Sequence, residues 1–188
     1  MNDIYENLKN DCGIFNKTEL LILKILYINN YDSFAHSYRA CQWADKFFDQ
    51  SGIASEYKNI TIKSAAFHDI GKIFGDNLNL TPNRIEDKIV RQILHFHCQY
   101  GYLLLNDYNR DMALVSLYHH NSYEDLVSLN LEDYLVEIIT YIRFCDIFDA
   151  LTSKRSYKNV YSRKNTIKIL SEFPEFARYV ETIKNEDW

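Results

Sequence analysis

Apolar residues recur at helical spacing along almost the whole chain, and no stretch shows the period-two alternation of a half-buried strand. In residues 18–30, Leu20, Leu21, Leu23, Ile25, Leu26 and Ile28 form an apolar run behind Thr18 as N-cap. The run is too long and too rich in Leu for a strand and predicts a buried helix. Asp32 or Ser33 is placed to cap a second helix, running through Ala35, Tyr38, Ala40, Trp43, Ala44 and Phe47 to Phe48 and closed by Gly52. Residues 60–70 give a third, with Gly71 just past its end. Residues 87–96 and 100–105 read as two separate pieces, 111–119 as another helix, and 131–148 as a long one of about five turns. Residues 162–171 follow, and Pro174 stands in the first turn of a last short helix. Residues 73–86, rich in Asn and holding Pro82, and residues 121–130 read as loops.

The expected fold is therefore all-α, a compact bundle of about seven to nine helices. A length of 188 residues leaves room for one domain rather than two. With 15 Tyr, 11 Phe and 2 Trp burying large areas each, such a chain can fill a sizeable core. Lys and Arg number 21 against 26 Asp and Glu, a net charge of -5, which argues against a groove for extended nucleic acid. A carboxylate-rich site that takes up divalent cations would offset part of that charge. Cys12, Cys41, Cys98 and Cys145 are scattered without a C-x-x-C pair, so reduced, buried thiols are expected rather than a zinc knuckle or a disulfide framework. The opening MNDIYENLKNDCG is acidic where a signal peptide is basic and apolar, and no run reaches the ~20 apolar residues of a membrane span. A cytoplasmic protein without membrane insertion is expected.

The histidines are His36, His68, His95, His97, His119 and His120. His68 and Asp69 are adjacent in AAFHDIGK, at the end of an apolar helix, and His119 and His120 close the apolar run 112–118. Each has a plain use when taken alone. A single His such as His36 is most often a hydrogen-bonded core or surface residue, and Asp146, inside YIRFCDIFDAL, has a salt-bridge partner in Arg143 one turn back. Yet a buried carboxylate or imidazole pair is costly unless it is paired or bound to metal. A helix bundle can point several such side chains into one cavity. A mixed nitrogen and oxygen set of this size suits Fe, Mn or Zn better than Ca or Mg. His95, two positions before His97, points to another side of its helix. Asp149, one turn after Asp146, is placed to orient a ligand or to cap the turn at Ser153.

In order, His36, His68-Asp69, His97, His119-His120 and Asp146 resemble the HD superfamily of metal-dependent phosphohydrolases, and within it the HD-GYP branch of cyclic di-GMP phosphodiesterases. The likeness is carried by HDIGK at 68–72, the H-x-x-x-G from His97 to Gly101, the HH pair, and DIFDALTSKRSY at 146–157, and it spans residues 32–158. It implies a bundle of the HD-domain type in a single domain of residues 1–188. Residues 1–31 would be an N-terminal helical extension, 32–160 the metal-binding core and 161–188 C-terminal helices. It also implies two divalent metal ions, Fe or Mn favoured and Zn admitted. His36, His68, Asp69 and Asp146 would hold one, and His97, His119 and His120 the other, with Asp69 bridging. Asp32, four residues before His36, stands where some members hold a third ion, and serves equally as a helix N-cap. Two departures from the branch bear on substrate. Asn121 stands where an acid is expected, followed by SYEDLVSLNLEDY without the G-Y-P signature, and Pro82, Asn83 and Arg84 replace a Lys- and Gly-rich stretch after HDIGK.

The reaction implied by the resemblance is hydrolysis of a phosphodiester, a nucleotide or cyclic dinucleotide of the cyclic di-GMP kind, by a hydroxide bridging the two ions. Two metals lower the pKa of a shared water toward ~7 and neutralise charge on the phosphoryl oxygens. Asp69 and Lys72 are the catalytic candidates. Lys72 reaches a phosphoryl oxygen if the chain turns back at Gly71, or else answers the helix dipole. Substrate-binding candidates are Lys72, Arg155, gripping a second phosphate or stacking on a base, and Tyr157, stacking on a base. Two other classes stay open: a non-catalytic metal- or nucleotide-binding regulatory module, for which the missing G-Y-P speaks, and a di-iron oxygenase, against which Lys72 and Arg155 weigh. Beyond substrate, the expected partners are a second copy of the chain or a regulatory protein.

Overall fold

A computed structural model describes residues 13–74, 88–153, 160–186 and 188. Among them are nine α-helices and no strand: α1 Lys17–Asn29, α2 Tyr31–Lys46, α3 Lys58–Phe67, α4 Lys88–Leu105, α5 Arg110–Tyr118, α6 Tyr123–Ser128, α7 Asp133–Thr152, α8 Arg163–Leu170 and α9 Ala177–Asn185. The all-α expectation is met. No helix of the described residues is long and apolar enough to cross a membrane.

The long helix α7 is the axis of the bundle. Leu135, Ile138, Ile139, Tyr141, Ile142, Phe144, Cys145 and Phe148 bury it on nearly every side, as a helix that is apolar all round must be. Helices α2, α3, α5 and α8 pack against it. Aromatic rings fill the spaces between. Trp43 of α2, its C-cap Phe47 and Trp188 meet Phe148, and Tyr179 of α9 with Phe176 closes over Phe144. Even the buried Tyr141 hydroxyl is satisfied, donating to the Ala44 carbonyl at 3.0 Å. Cys41, Cys98 and Cys145 are buried and form no disulfide among the described residues; Cys12 lies outside the described residues.

Several local expectations are corrected. The cap of α1 is Asn16 rather than Thr18: its side chain accepts from the Thr18 and Glu19 amides while Glu19 accepts from the Asn16 amide, a capping box. Helix α1 is also not buried throughout. It buries Glu19, Leu23 and Leu26 at the edge of the bundle and leaves Leu21, Ile25 and Ile28 exposed. Asn30, not Asp32 or Ser33, caps α2 by accepting from the Ser33 amide. The expected loop at 121–130 contains α6, opened by a capping box between Ser122 and Asp125. Helix α7 begins at Asp133 and continues past Phe148 to Thr152.

Two corrections position the site. The helix expected over 60–70 ends at Phe67, so His68 and Asp69 lie in a turn before a short 3-10 helix, Ile70–Phe74. The two pieces expected at 87–96 and 100–105 are one helix, α4. The break in apolar phase near His97 arises because that polar residue is itself buried. Both features depend on glycine. A Cβ on Gly71 would overlap the His97 carbonyl, and a Cβ on Gly101 would overlap the Ser116 hydroxyl. The missing side chains let the 3-10 helix meet α4 backbone to backbone and let the Ser116 side chain of α5 reach α4. Gly52, with φ +78, turns the chain after α2 and its 3-10 extension.

Gly101→Ala reports on this contact by its sign. Mid-helix, alanine is favoured over glycine by ~1 kcal/mol, whereas forcing a methyl into a packed interface costs ~1–3 kcal/mol. The variant is expected to melt several degrees lower than the parent in a thermal scan. A midpoint that rises instead would contradict the close approach of α4 and α5.

Candidate metal centre

Four helices and one turn bring the expected ligands together. His36 lies on α2, His68 and Asp69 in the turn after α3, His97 on α4, His119 at the C-cap of α5 with His120 next, and Asp146 on α7. His36, His68, Asp69, His97 and His119 are buried, Asp146 is partly so, and His120 is exposed. Local bonds set the imidazoles. His68 Nδ1 donates to the Ala65 carbonyl and His119 Nδ1 to the Ser116 carbonyl, each at 2.8 Å. With the proton fixed on Nδ1, both rings turn an Nε2 lone pair inward. Ser116 also donates to the His68 carbonyl at 2.9 Å, tying the turn to α5.

Asp69 is the centre of the arrangement. Its Oδ2 lies 2.5 Å from Lys72 Nζ, 3.5 Å from His68 Nε2 and 3.9 Å from His36 Nε2. Its Oδ1 faces the other way, 3.2 Å from His97 Nε2 and 3.7 Å from His119 Nε2. Asp146 Oδ1 sits 2.9 Å from His36 Nε2 and 4.0 Å from His68 Nε2. Among the described residues, three groups have donor atoms mutually within 4.8 Å: His36, His68 and Asp146; His68, Asp69 and His119; and His97, Cys98, His119 and His120. Among the described residues, His68 Nε2 and His119 Nε2 are buried without a hydrogen-bond partner. Two orphaned acceptors beside the Asp69 carboxylate cost ~1–3 kcal/mol each. A cation between them removes that cost, so the residues fit a metal.

The HD domain family model matches residues 33–154. The chain belongs to the HD domain family. Over 128 residues it is 32% identical to the cyclic di-GMP phosphodiesterase response regulator RpfG of Xanthomonas campestris pv. campestris (strain 8004). That match takes in 61% of this chain and 32% of the relative, so the HD chain spans about a third of that protein's length. Its fold is similar to the HD domain of the L. monocytogenes phosphodiesterase PgpH, solved in complex with cyclic-di-AMP, with a TM-score of 0.61, 17% identity and coverage of 88% of this chain and 85% of that one.

Around the donor atoms of this HD domain lies a second layer. Asp149, fully buried, accepts from His36 Nδ1 at 2.7 Å and from Ser153 Oγ at 2.7 Å. Arg39 grips it with Nε on Oδ1 at 2.8 Å and a terminal nitrogen on Oδ2 at 3.0 Å. Asp149 thus orients His36 and caps the Ser153 turn at once. Arg143 pairs with Glu175 at 2.7 Å rather than with Asp146. The sequence alone does not single out Arg39 or Ser116 as part of the site. For Arg39 the available signal was its position one turn after His36 on the same helix face; for Ser116 it was a hydroxyl inside an apolar run. Asp32 is exposed in the first turn of α2 and belongs to none of the three donor groups. Arg155, Tyr157, Pro82, Asn83, Arg84 and the His95 side chain lie outside the described residues.

The charges follow from these contacts. Burial opposes a proton on His36, but the bonds to Asp146 and Asp149 outweigh it and push the pKa up to about 9. Burial likewise opposes a proton on His97, and Asp69 beside it pushes the pKa up to about 10. Burial holds His68 and His119 below the ordinary imidazole range. Burial alone would raise Asp69, Asp146 and Asp149. Lys72 and His68 hold Asp69 low, His36 holds Asp146 low, and His36 with Arg39 brings Asp149 down to about 2. Without metal, protons on His36 and His97 supply the positive charge between the carboxylates.

Two outcomes are expected. Cation uptake at pH 7 must expel the His36 and His97 protons. Calorimetry in buffers of different ionisation enthalpy should report at least two protons released per chain, with apparent affinity climbing from pH 7 until about 9 to 10. In the metal-free protein the same raised values stabilise the fold fully below about pH 6.5, a contribution lost as pH rises through about 9 and 10. Affinity independent of pH, with no proton release, would contradict this. Separately, Asp149→Asn or Arg39→Ala should weaken metal binding by ~10–100-fold by loosening His36; a chelator-competition titration matching the parent would show the layer to be idle.

Proposed function

We propose that this HD domain is a metal-dependent phosphodiesterase acting on a nucleotide or cyclic dinucleotide of the cyclic di-GMP kind. The observation that carries the reading is the division of the Asp69 carboxylate, one oxygen toward His36 and His68 and the other toward His97 and His119. His36, His68, Asp69 and Asp146 would hold one divalent ion, and Asp69, His97, His119 and His120 a second. Fe or Mn suits the nitrogen and oxygen set, and Zn is admitted. A third ion would draw on Asp32. The naming of RpfG as a cyclic di-GMP phosphodiesterase, over the matched third of its length, supports the substrate class.

Two divalent ions held there would lower the pKa of water and neutralise charge on a phosphoryl group. The chain's own residues do the rest. His68 and His119 present Nε2 without rotating, because their Nδ1 bonds are made in advance. Asp149 and Arg39 keep His36 from swinging toward solvent. Lys72, with its side chain about one-fifth exposed, stands at the edge of the cluster and faces an incoming phosphoryl oxygen with an ammonium group. Asn121, partly exposed just after the HH pair, can donate to substrate where the branch has an acid. Arg155 and Tyr157 would take the second phosphate and a base.

Metal-replete protein should hydrolyse a member of a panel of cyclic dinucleotides, linear dinucleotides and aryl phosphodiesters. Asp69→Ala should abolish turnover, and Lys72→Ala should lower kcat by roughly 100-fold with KM little changed. Tight nucleotide binding without turnover of any panel member would favour the regulatory module instead.

A further inference from the structure

Cys98 follows His97 on α4 and is 5% exposed, yet among the described residues it is not part of the apolar core cluster that takes in both Cys41 and Cys145. Its Sγ lies 3.4 Å from His97 Nε2. Its sulfur and one ring nitrogen each of His97, His119 and His120 lie mutually within 4.8 Å. One of those partners, His119, is fully buried with an Nε2 that has no hydrogen-bond partner. A thiol placed to fill a core would be surrounded by apolar side chains. This one has three imidazole nitrogens within reach of its sulfur.

Resting on the metal-centre reading above, we infer that Cys98 is a thiolate ligand to the ion held by His97, His119 and His120, and that it biases this position toward Zn2+ or Fe2+ over Mn2+ and Mg2+. The spacing suits the role. Metal–sulfur and metal–nitrogen bonds of ~2.3 and ~2.0–2.1 Å at angles between square and tetrahedral place the two ligand atoms about 3.1–3.6 Å apart. The observed 3.4 Å falls inside that range. On ligation the S–H bond breaks, the proton leaves to solvent and the sulfur lone pair goes to the ion, with no change of oxidation state. Soft thiolate is a poor partner for Mn2+ and Mg2+ and a good one for Zn2+ and Fe2+, so a single sulfur changes the preference of a set otherwise made of nitrogen and oxygen.

Cobalt(II) titration of the purified protein tests this without reference to turnover. Visible ligand-field bands report occupancy of the centre, and a near-ultraviolet thiolate-to-cobalt charge-transfer band reports sulfur on the ion. The parent should show both. Cys98→Ala and Cys98→Ser, checked for helical circular dichroism and thermal midpoint, should keep the visible bands, lose the near-ultraviolet band, and lower the ratio of Zn2+ to Mn2+ affinity by ~10-fold or more. Visible bands in the parent without the charge-transfer band would overturn the role of Cys98 and leave the metal centre standing. A band that persists in Cys98→Ala would do the same. No cobalt uptake at all would overturn both.

Discussion

A carboxylate buried at the meeting point of several helices is the constraint around which this HD domain is organised. Asp69 is 2% exposed, and desolvating an ionised carboxylate is costly unless opposite charge surrounds it. Lys72 and His68 come from its own turn, His36 from α2, His97 from α4 and His119 from the end of α5. The same contacts that make the charge tolerable draw four separate stretches of chain onto one point. Site and fold are therefore not separable here, because moving any of those helices leaves the carboxylate unanswered.

Such convergence requires close packing. Gly71 and Gly101 remove the two side chains that would hold the turn, α4 and α5 apart, and Ser116 then bonds the His68 carbonyl across the gap. The H-x-x-x-G spacing takes on a physical meaning: His97 supplies a donor, and one turn later the glycine lets the next helix reach the site. On the opposite side the aromatic packing around Phe148 and Tyr141 fixes α7, so that Asp146 and Asp149 approach His36 from one rigid helix. The second layer of Arg39 and Asp149 then leaves the imidazole little freedom to reorient.

Much of this was legible in the residues. Helical periodicity identified the long helices other than α4, which it split in two, and the order of His36, His68-Asp69, His97, the HH pair and Asp146 pointed to one cluster, which the structure brings together. What escaped was information not carried by local pattern. Helix caps went to Asn16 and Asn30 instead of Thr18, Asp32 or Ser33, because neighbouring polar residues compete for the same amides and only the backbone path decides. Helix α4 reads as two pieces because the apolar phase breaks at His97, which is polar yet buried. Arg39, Ser116 and Cys98 gain their roles from partners on other elements or from the cluster itself. The Arg39–Asp149 pair, 110 positions apart in sequence, has no local signature.

The account depends most on two cations lying on either side of one carboxylate. Diffraction from crystals grown with Fe2+, with data collected on both sides of the metal absorption edge, measures that directly. Two anomalous peaks are expected, one within ~2.0–2.3 Å of each Asp69 oxygen. A difference map in which Asp69 meets only lysine, imidazole and water, or in which a single ion is held away from it, would contradict the account.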